Sequence, residues 1–201
     1  MLIIGLTGPS GAGKGTVASL FSRYGVPSID TDRVYHGLLV PPSACLDELK
    51  ARFGTEILHT DGTLNRGALA ARVFSEGHGE DLEDLNRITH RHILAKTRDI
   101  LAAYEAEGCS AVLVDAPQLF ESGFDRECDR ILSVLAPFEL RLSRIMARDG
   151  ISEEGAWARL AASHPDEFFR KRSDAVMLNN GSVDSMDTEV RRLLALWEVT
   201  V

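Results

Sequence analysis

The chain has little cysteine, no long apolar run and no excess of basic charge, and each shortage closes off a class of protein. Its three cysteines, Cys45, Cys109 and Cys128, are odd in number and scattered. None of their spacings suits a metal site, so free thiols in a reducing compartment are expected. No stretch approaches the roughly 20 apolar residues that a helix needs to cross a bilayer. No charged and cleavable leader is visible. A cytoplasmic protein without a membrane partner is expected. The formal net charge is −8, from 30 acidic and 22 basic residues among 201. A general nucleic-acid binder shows the opposite, basic footprint, so no nucleic-acid partner is expected. Repeats and low-complexity linkers are missing as well. What remains, 44% hydrophobic and 26% charged residues, is ordinary for a globular chain. Its length suits one α/β domain with an inserted cap or lid.

The most informative stretch is Gly8-Pro9-Ser10-Gly11-Ala12-Gly13-Lys14-Gly15-Thr16. The apolar run Leu2–Leu6 before it reads as a buried strand, and Val17 to Phe21 after it as the start of a helix. Strand, glycine-rich turn, Lys and helix form the arrangement of a phosphate-binding P-loop. Glycines let the backbone curl without Cβ clashes. The N–H groups from Gly11, Ala12 and Gly13 through Lys14, Gly15 and Thr16 then form an anion nest. The helix N-terminus adds partial positive charge, and Lys14 a full one directed at the β- and γ-phosphates. Gly15 stands where the pattern has Ser or Thr, and Thr16 follows one place later, so the hydroxyl of a magnesium shell is displaced or missing. A glycine-rich loop that merely caps a helix would need neither the strand nor the Lys. The negative net charge is no obstacle, because a P-loop acts as a local field.

Short apolar strands are predicted at Leu2–Leu6, Pro27–Asp30, Ala111–Asp115, Arg130–Leu135 and Ala175–Leu178, separated by helical stretches. That alternation predicts an α/β fold around a five-stranded parallel sheet covered on both faces. Ligands on such a sheet gather at the carboxyl ends of the strands. The expected nucleotide-binding core is 1–35 with 109–138 and 173–201. Residues 36–108 form a helical acceptor-binding insertion, with three-to-four spacing in Leu46, Leu49, Phe53 and Ile57 and turns at Pro41-Pro42, Asp61-Gly62 and Gly77–Gly79. Residues 139–172, rich in arginine, form a lid of two helices split at Asp149-Gly150.

Four further places could carry chemistry. Asp32, just after the second strand, suits a carboxylate that accepts a hydroxyl proton in phosphoryl transfer. Equally, Asp30 or Asp32 could cap a helix beginning near Val34. Asp115 closes an apolar strand in the Walker-B manner and could hold Mg²⁺ directly or through water, together with Thr16. Arg144 and Arg148, four apart, share one helix face and could grip a transferring phosphoryl, or pair with Glu139, Asp149 or Glu153 in solvent. Asn179-Asn180-Gly181 follows the last strand. It reads either as a turn or as a segment beside an adenine ring, with Asn180 the candidate contact. His90 and His92 are two apart and do not share a helical face, which argues against a metal site. His90 remains a candidate for the acceptor pocket.

Taken together, these positions resemble the dephospho-coenzyme A kinases over nearly the whole length. The resemblance is carried by Gly5-Leu6-Thr7-Gly8 with the P-loop, Gly25-Val26-Pro27 through Asp32, Arg52-Phe53-Gly54, Asp61 to Arg66 and Val73-Phe74-Ser75. It continues in Asp115 to Glu121, Met146 to Gly150, and Asn179 to Ser182. It implies a P-loop kinase that uses ATP with Mg²⁺ to phosphorylate the ribose 3′-hydroxyl of dephospho-CoA, the last step of coenzyme A synthesis. By the same resemblance Asp32 is the base, Arg144 and Arg148 belong to the lid, and the helical insertion receives dephospho-CoA. A monomer is expected. The chain departs from the family pattern at Gly15, at His36 in place of an Arg, at Arg91 in place of a Pro, at Ser163 in place of a Gln, and at Leu135 and Leu178 in place of acidic residues. Two other functions compete: a nucleoside monophosphate kinase, favoured by the local P-loop, and a non-catalytic ATP sensor. Asp30-Thr31-Asp32 and the long insertion count against the first, and Lys14, Asp32, Asp115 and the lid arginines against the second.

Overall fold

The central strands form where the sequence is apolar on both sides of the pleat, whereas the edge strand Ser28–Asp30 buries only Ile29. In the computed structural model, which describes residues 1–74 and 79–200, the strands are β1 (Leu2–Thr7), β2 (Ser28–Asp30), β3 (Ala111–Asp115), β4 (Arg130–Leu135) and β5 (Ala175–Leu178). Val112, Leu113 and Val114 of β3 are all fully buried, with no alternation. That is the mark of a parallel strand covered on both faces. The five strands are parallel and ordered β2-β3-β1-β4-β5. This is the expected α/β architecture, and the strand bounds differ from the sequence expectation by a residue at most. Gly77 of the expected Gly77–Gly79 turn, and Ser75, lie outside the described residues.

The chain divides into two compact units, Met1–Asp30 with Leu101–Val201, and Thr31–Ile100. In the first, α1 (Lys14–Arg23) and α9 (Val183–Leu196) cover the sheet. Val17, Leu20 and Phe21 of α1 and Met186, Val190 and Leu193 of α9 pack with Ile4, Leu6, Leu113, Leu132 and Val134. Each fully buried side chain of this kind contributes about 1.5–3 kcal/mol. The effect is to fix where β1 ends and α1 begins, which sets the loop between them.

The stretch expected as a two-helix lid lies within this first unit and holds three helices: α6 (Phe138–Asp149), α7 (Glu153–Ala161) and α8 (Asp166–Arg172). Gly150, at φ +64°, ends α6 as the sequence suggested. Ser152 then caps α7 by accepting from Gly155 N–H at 3.2 Å. The second break comes from Pro165. A proline disfavours helical backbone in the residue before it and starts a helix readily, so α7 stops at Ala161 and α8 opens after Pro165. Leu142 and Ile145 of α6 pack on Ala156 and Leu160 of α7.

The second unit is built from α2 (Thr31–Leu38), α3 (Ala44–Phe53), α4 (Arg66–Val73) and most of α5 (Gly79–Ala106). Its core is Leu39, Cys45, Leu49, Phe53, Ile57, Leu69, Val73 and Ile88. Side-chain caps start two helices: Ser43 accepts from Leu46 N–H at 3.2 Å, and Asn65 from Ala68 N–H at 3.0 Å. Arg52 bridges Asp81 and Asp84 of α5 at 2.5 Å each, and Arg72 adds a 3.0 Å contact to Asp81. No helix among the described residues is long and apolar enough to cross a membrane.

Candidate active site

The β1–α1 loop takes its shape from glycines that nothing larger could replace. Gly8 sits at φ +136°, and a Cβ there would run into the Val134 carbonyl of β4. Gly13 sits at φ +96°, and a Cβ there would fall on the Asn179 amide nitrogen. Gly15 differs: it is exposed, lies outside the left-handed region, and a Cβ would find nothing within 4 Å. Within the loop Ala12 N–H donates to Pro9 O at 3.3 Å, and the N–H groups of Thr16 and Val17 turn back to Gly13 O. The half-buried Lys14 donates from Nζ to Gly8 O at 2.9 Å, with Pro9 O at 3.5 Å. Its charge is therefore held over its own loop and not released into solvent. Helix dipole and ammonium add at one point, which is what an anion of several charges needs.

Arg144 and Asn179 stand behind the loop. Arg144 donates from Nη1 to Gly11 O at 3.2 Å and from Nη2 to Asn179 Oδ1 at 3.3 Å. Asn179 donates from Nδ2 to Ala12 O at 2.8 Å, and its backbone N–H donates to Leu135 O at 2.7 Å. Asn179 is 3% exposed, whereas Asn180, the expected nucleotide contact, is exposed. Sequence reasoning passed over Asn179, although a signal existed. Met177 is buried, Leu178 exposed and Asn179 buried, so the two-residue period of β5 runs one residue past its end. Arg148 lies elsewhere. It is exposed and makes a bidentate pair with Asp149 at 2.7 and 3.0 Å, and Arg159 binds the same carboxylate. The hydrogen bonds from Arg148, helped by Arg159, hold the Asp149 carboxyl below the usual range.

Of the two candidate carboxylates, Asp115 sits at a strand end and Asp32 in a helix. Asp115 ends β3, in register with Leu6 of β1 on one side and Asp30 of β2 on the other. It is half-buried, and Ala116 N–H binds Leu6 O at 3.0 Å to hold that end against β1. Asp32, in the second unit, is exposed and lies in the first turn of α2, which begins at Thr31 and not near Val34. It is therefore no N-cap, though a carboxylate in a first turn is favoured by the helix dipole. For a metal, the hydroxyl of Thr16 and the carboxylate of Asp115 are hard oxygen donors, which fit Mg²⁺. Among the described residues no three His, Cys, Asp or Glu side chains form a metal cage.

In the second unit His90 is half-buried in α5. Arg91 and His92 both bind Glu48 of α3, His92 at 2.9 Å. Hydrogen bonds from His92 and Arg91 hold the Glu48 carboxyl low. Arg91, which stands where the resemblance has Pro, thus ties α5 to α3. His36 lies 2.5 Å from the Arg66 guanidinium.

Comparison with known proteins adds to this geometry. The sequence profile of the dephospho-CoA kinases matches residues 2–185. The chain belongs to the dephospho-CoA kinase family. A dephospho-CoA kinase of Corynebacterium efficiens is 40% identical over 195 residues, covering 97% of this chain and 96% of the relative. A solved Thermus thermophilus structure superposes with a TM-score of 0.83 at 36% identity, covering 100% of this chain and 98% of the other. A solved dephospho-CoA kinase from Campylobacter jejuni gives 0.69 at 27% identity, covering 96% and 95%. The family is one of ATP-dependent kinases, so the loop holding Lys14 belongs to a phosphotransferase, and the α/β core is that of a P-loop kinase.

Proposed function

We propose that this chain transfers the γ-phosphoryl of ATP to the ribose 3′-hydroxyl of dephospho-CoA, acting as a monomer in the cytoplasm. The observation that carries this reading is the β1–loop–α1 unit, whose glycines and Lys14 build a cradle for a polyphosphate in a chain of this family. In the step, the hydroxyl oxygen forms a bond to Pγ, the bridging oxygen bond to Pγ breaks, and ADP leaves. Asp32 accepts the hydroxyl proton. Lys14 and the loop N–H groups offset the charge that gathers on the phosphates. Arg148 leaves Asp149 to reach the transferring group. Bound Mg²⁺, held by Thr16 and Asp115 through water and phosphate oxygens, would neutralise phosphate charge.

A coupled assay of ADP release tests the reading, with dephospho-CoA, CMP, UMP and AMP as separate acceptors. Turnover should require dephospho-CoA. Preference for a nucleoside monophosphate, or ATP binding without any acceptor-dependent turnover, would overturn it. Lys14→Ala should depress both ATP affinity and turnover in the same assay, and a wild-type rate would show that the cradle has been misplaced.

A further inference from the structure

We propose that Asn179 is a positioning residue that aims the Gly13 N–H of the P-loop at bound phosphate from behind. The proposal rests on the reading of that loop as the ATP site. A trans peptide unit points its C=O and N–H in opposite directions. Asn179 Nδ2 pins the Ala12 carbonyl at 2.8 Å, so the Gly13 N–H of the same peptide is turned away from Asn179. Arg144 pins the Gly11 carbonyl at 3.2 Å, and the Ala12 N–H of that peptide is taken up within the loop by Pro9 O at 3.3 Å, so the Gly13 N–H is the donor the brace aims. The two pins are linked, because Arg144 also donates to Asn179 Oδ1 at 3.3 Å. This link fixes the amide orientation: a flipped Asn179 would set Nδ2 against a guanidinium and Oδ1 against a carbonyl.

Two further observations show that the brace is built in. Asn179 is 3% exposed, and its backbone continues the β4–β5 ladder through Leu135 O at 2.7 Å, so its side chain has a rigid base. Gly13 leaves no room for a side chain because the Asn179 amide occupies that volume. The loop glycine and the asparagine fit as a pair. An anion nest works only when its N–H groups are preorganised toward the charge. A carbonyl free to rotate inward would set a partial negative charge against the phosphates. On this account Asn179 acts on the phosphates through the backbone and makes no contact with the base.

Asn179→Asp replaces the Nδ2 donor with a carboxylate oxygen at nearly constant shape. Binding of tripolyphosphate and of adenosine should be measured by calorimetry, beside steady-state kinetics for ATP and dephospho-CoA. Losing one buried charge-orienting hydrogen bond should weaken tripolyphosphate, and raise KM for ATP, by roughly tenfold. Adenosine affinity and KM for dephospho-CoA should stay within about twofold of wild type. Asn179→Ser keeps a shorter donor and should give the same pattern at smaller amplitude, which covers the case in which the Asp variant does not fold. Unchanged tripolyphosphate affinity in a folded variant would overturn the proposal, as would a loss confined to adenosine. Failure of the wild-type protein to bind tripolyphosphate at all would instead strike the P-loop reading itself.

Discussion

Replacing Gly13 with serine should cost far more than the same change at Gly15, two residues along the same loop. At Gly13 the backbone lies at φ +96°, where an L-residue loses about 1–2 kcal/mol. The new Cβ also displaces the Asn179 amide and strips the Ala12 carbonyl of its donor, which adds about 1–3 kcal/mol for a buried acceptor left unmade. The total is about 2–5 kcal/mol. Gly15 lies in the first turn of α1 with open space around it, and serine there recovers about 0.5 kcal/mol of helix propensity. In a chain of this size 1 kcal/mol moves Tm by about 2–4 °C. Gly13→Ser should then lower Tm by about 4–20 °C, and Gly15→Ser should raise it by no more than about 2 °C. Thermal unfolding by circular dichroism without nucleotide gives both numbers. Gly15→Ser should also retain turnover, since the family pattern places a hydroxyl there and the structure has room for it. Equal effects at the two sites would refute the account of the loop, as would a neutral Gly13→Ser.

Three other outcomes can be checked directly. Asp32→Asn should lower the rate by about 10²–10⁴ with ATP affinity nearly intact if the carboxylate takes the proton, and a retained rate would leave it only a helix-dipole role. Arg148→Ala should depress maximal turnover more than ATP binding; weaker ATP binding alone, at unchanged maximal rate, would contradict a role in the transfer step. Burial pushes the Asp81 carboxyl up, but Arg52 and Arg72 outweigh it and hold the group below its ordinary range, while hydrogen bonds from Arg87 and Arg52 lower Asp84. Their contribution is complete above the unfolded value of about 3.9 and is lost as pH falls through the depressed folded values. Acid titration of ellipticity should therefore stay flat from about pH 7 to 5 and fall below about pH 4, with a shallower fall in Asp81→Asn. An identical acid limb in that variant would refute the assignment.

Strands and the phosphate loop were legible because they are written locally. A fully apolar run such as Val112 to Val114 has one good use in a parallel sheet, and Gly8 to Thr16 carries its own backbone requirements. The third helix of the 139–172 stretch is hard to read although Pro165 is in plain view, because the break at Asp149-Gly150 accounts for the excursion without it. The start of α2 was placed late because Thr31-Asp32-Arg33 is polar and shows no apolar period. Asn179 and Asn180 both follow β5, and only the continued strand period separates the inward residue from the outward one. Neither the Arg144–Asn179 link nor the Arg52–Asp81–Arg72 cluster could be read from spacing. Their partners meet only after the helices have packed.

The strand order has a consequence for the order of synthesis. β1 holds the centre of the sheet, yet its two neighbours, β3 and β4, begin at Ala111 and Arg130. A growing chain therefore makes the Gly8–Thr16 loop long before the strands that flank it exist. Closing such distant contacts is slow, because the loop entropy is lost before any pairing repays it. The second unit, with its core wholly inside Thr31–Ile100, can condense while the first has only β1, α1 and β2, two strands that are not neighbours in the sheet. The Ala12 carbonyl gains its partner only when residue 179 leaves the ribosome and joins the edge laid down by β4. A nascent chain that stops short of β5 would carry every residue of the glycine-rich loop and still lack the part that aims it.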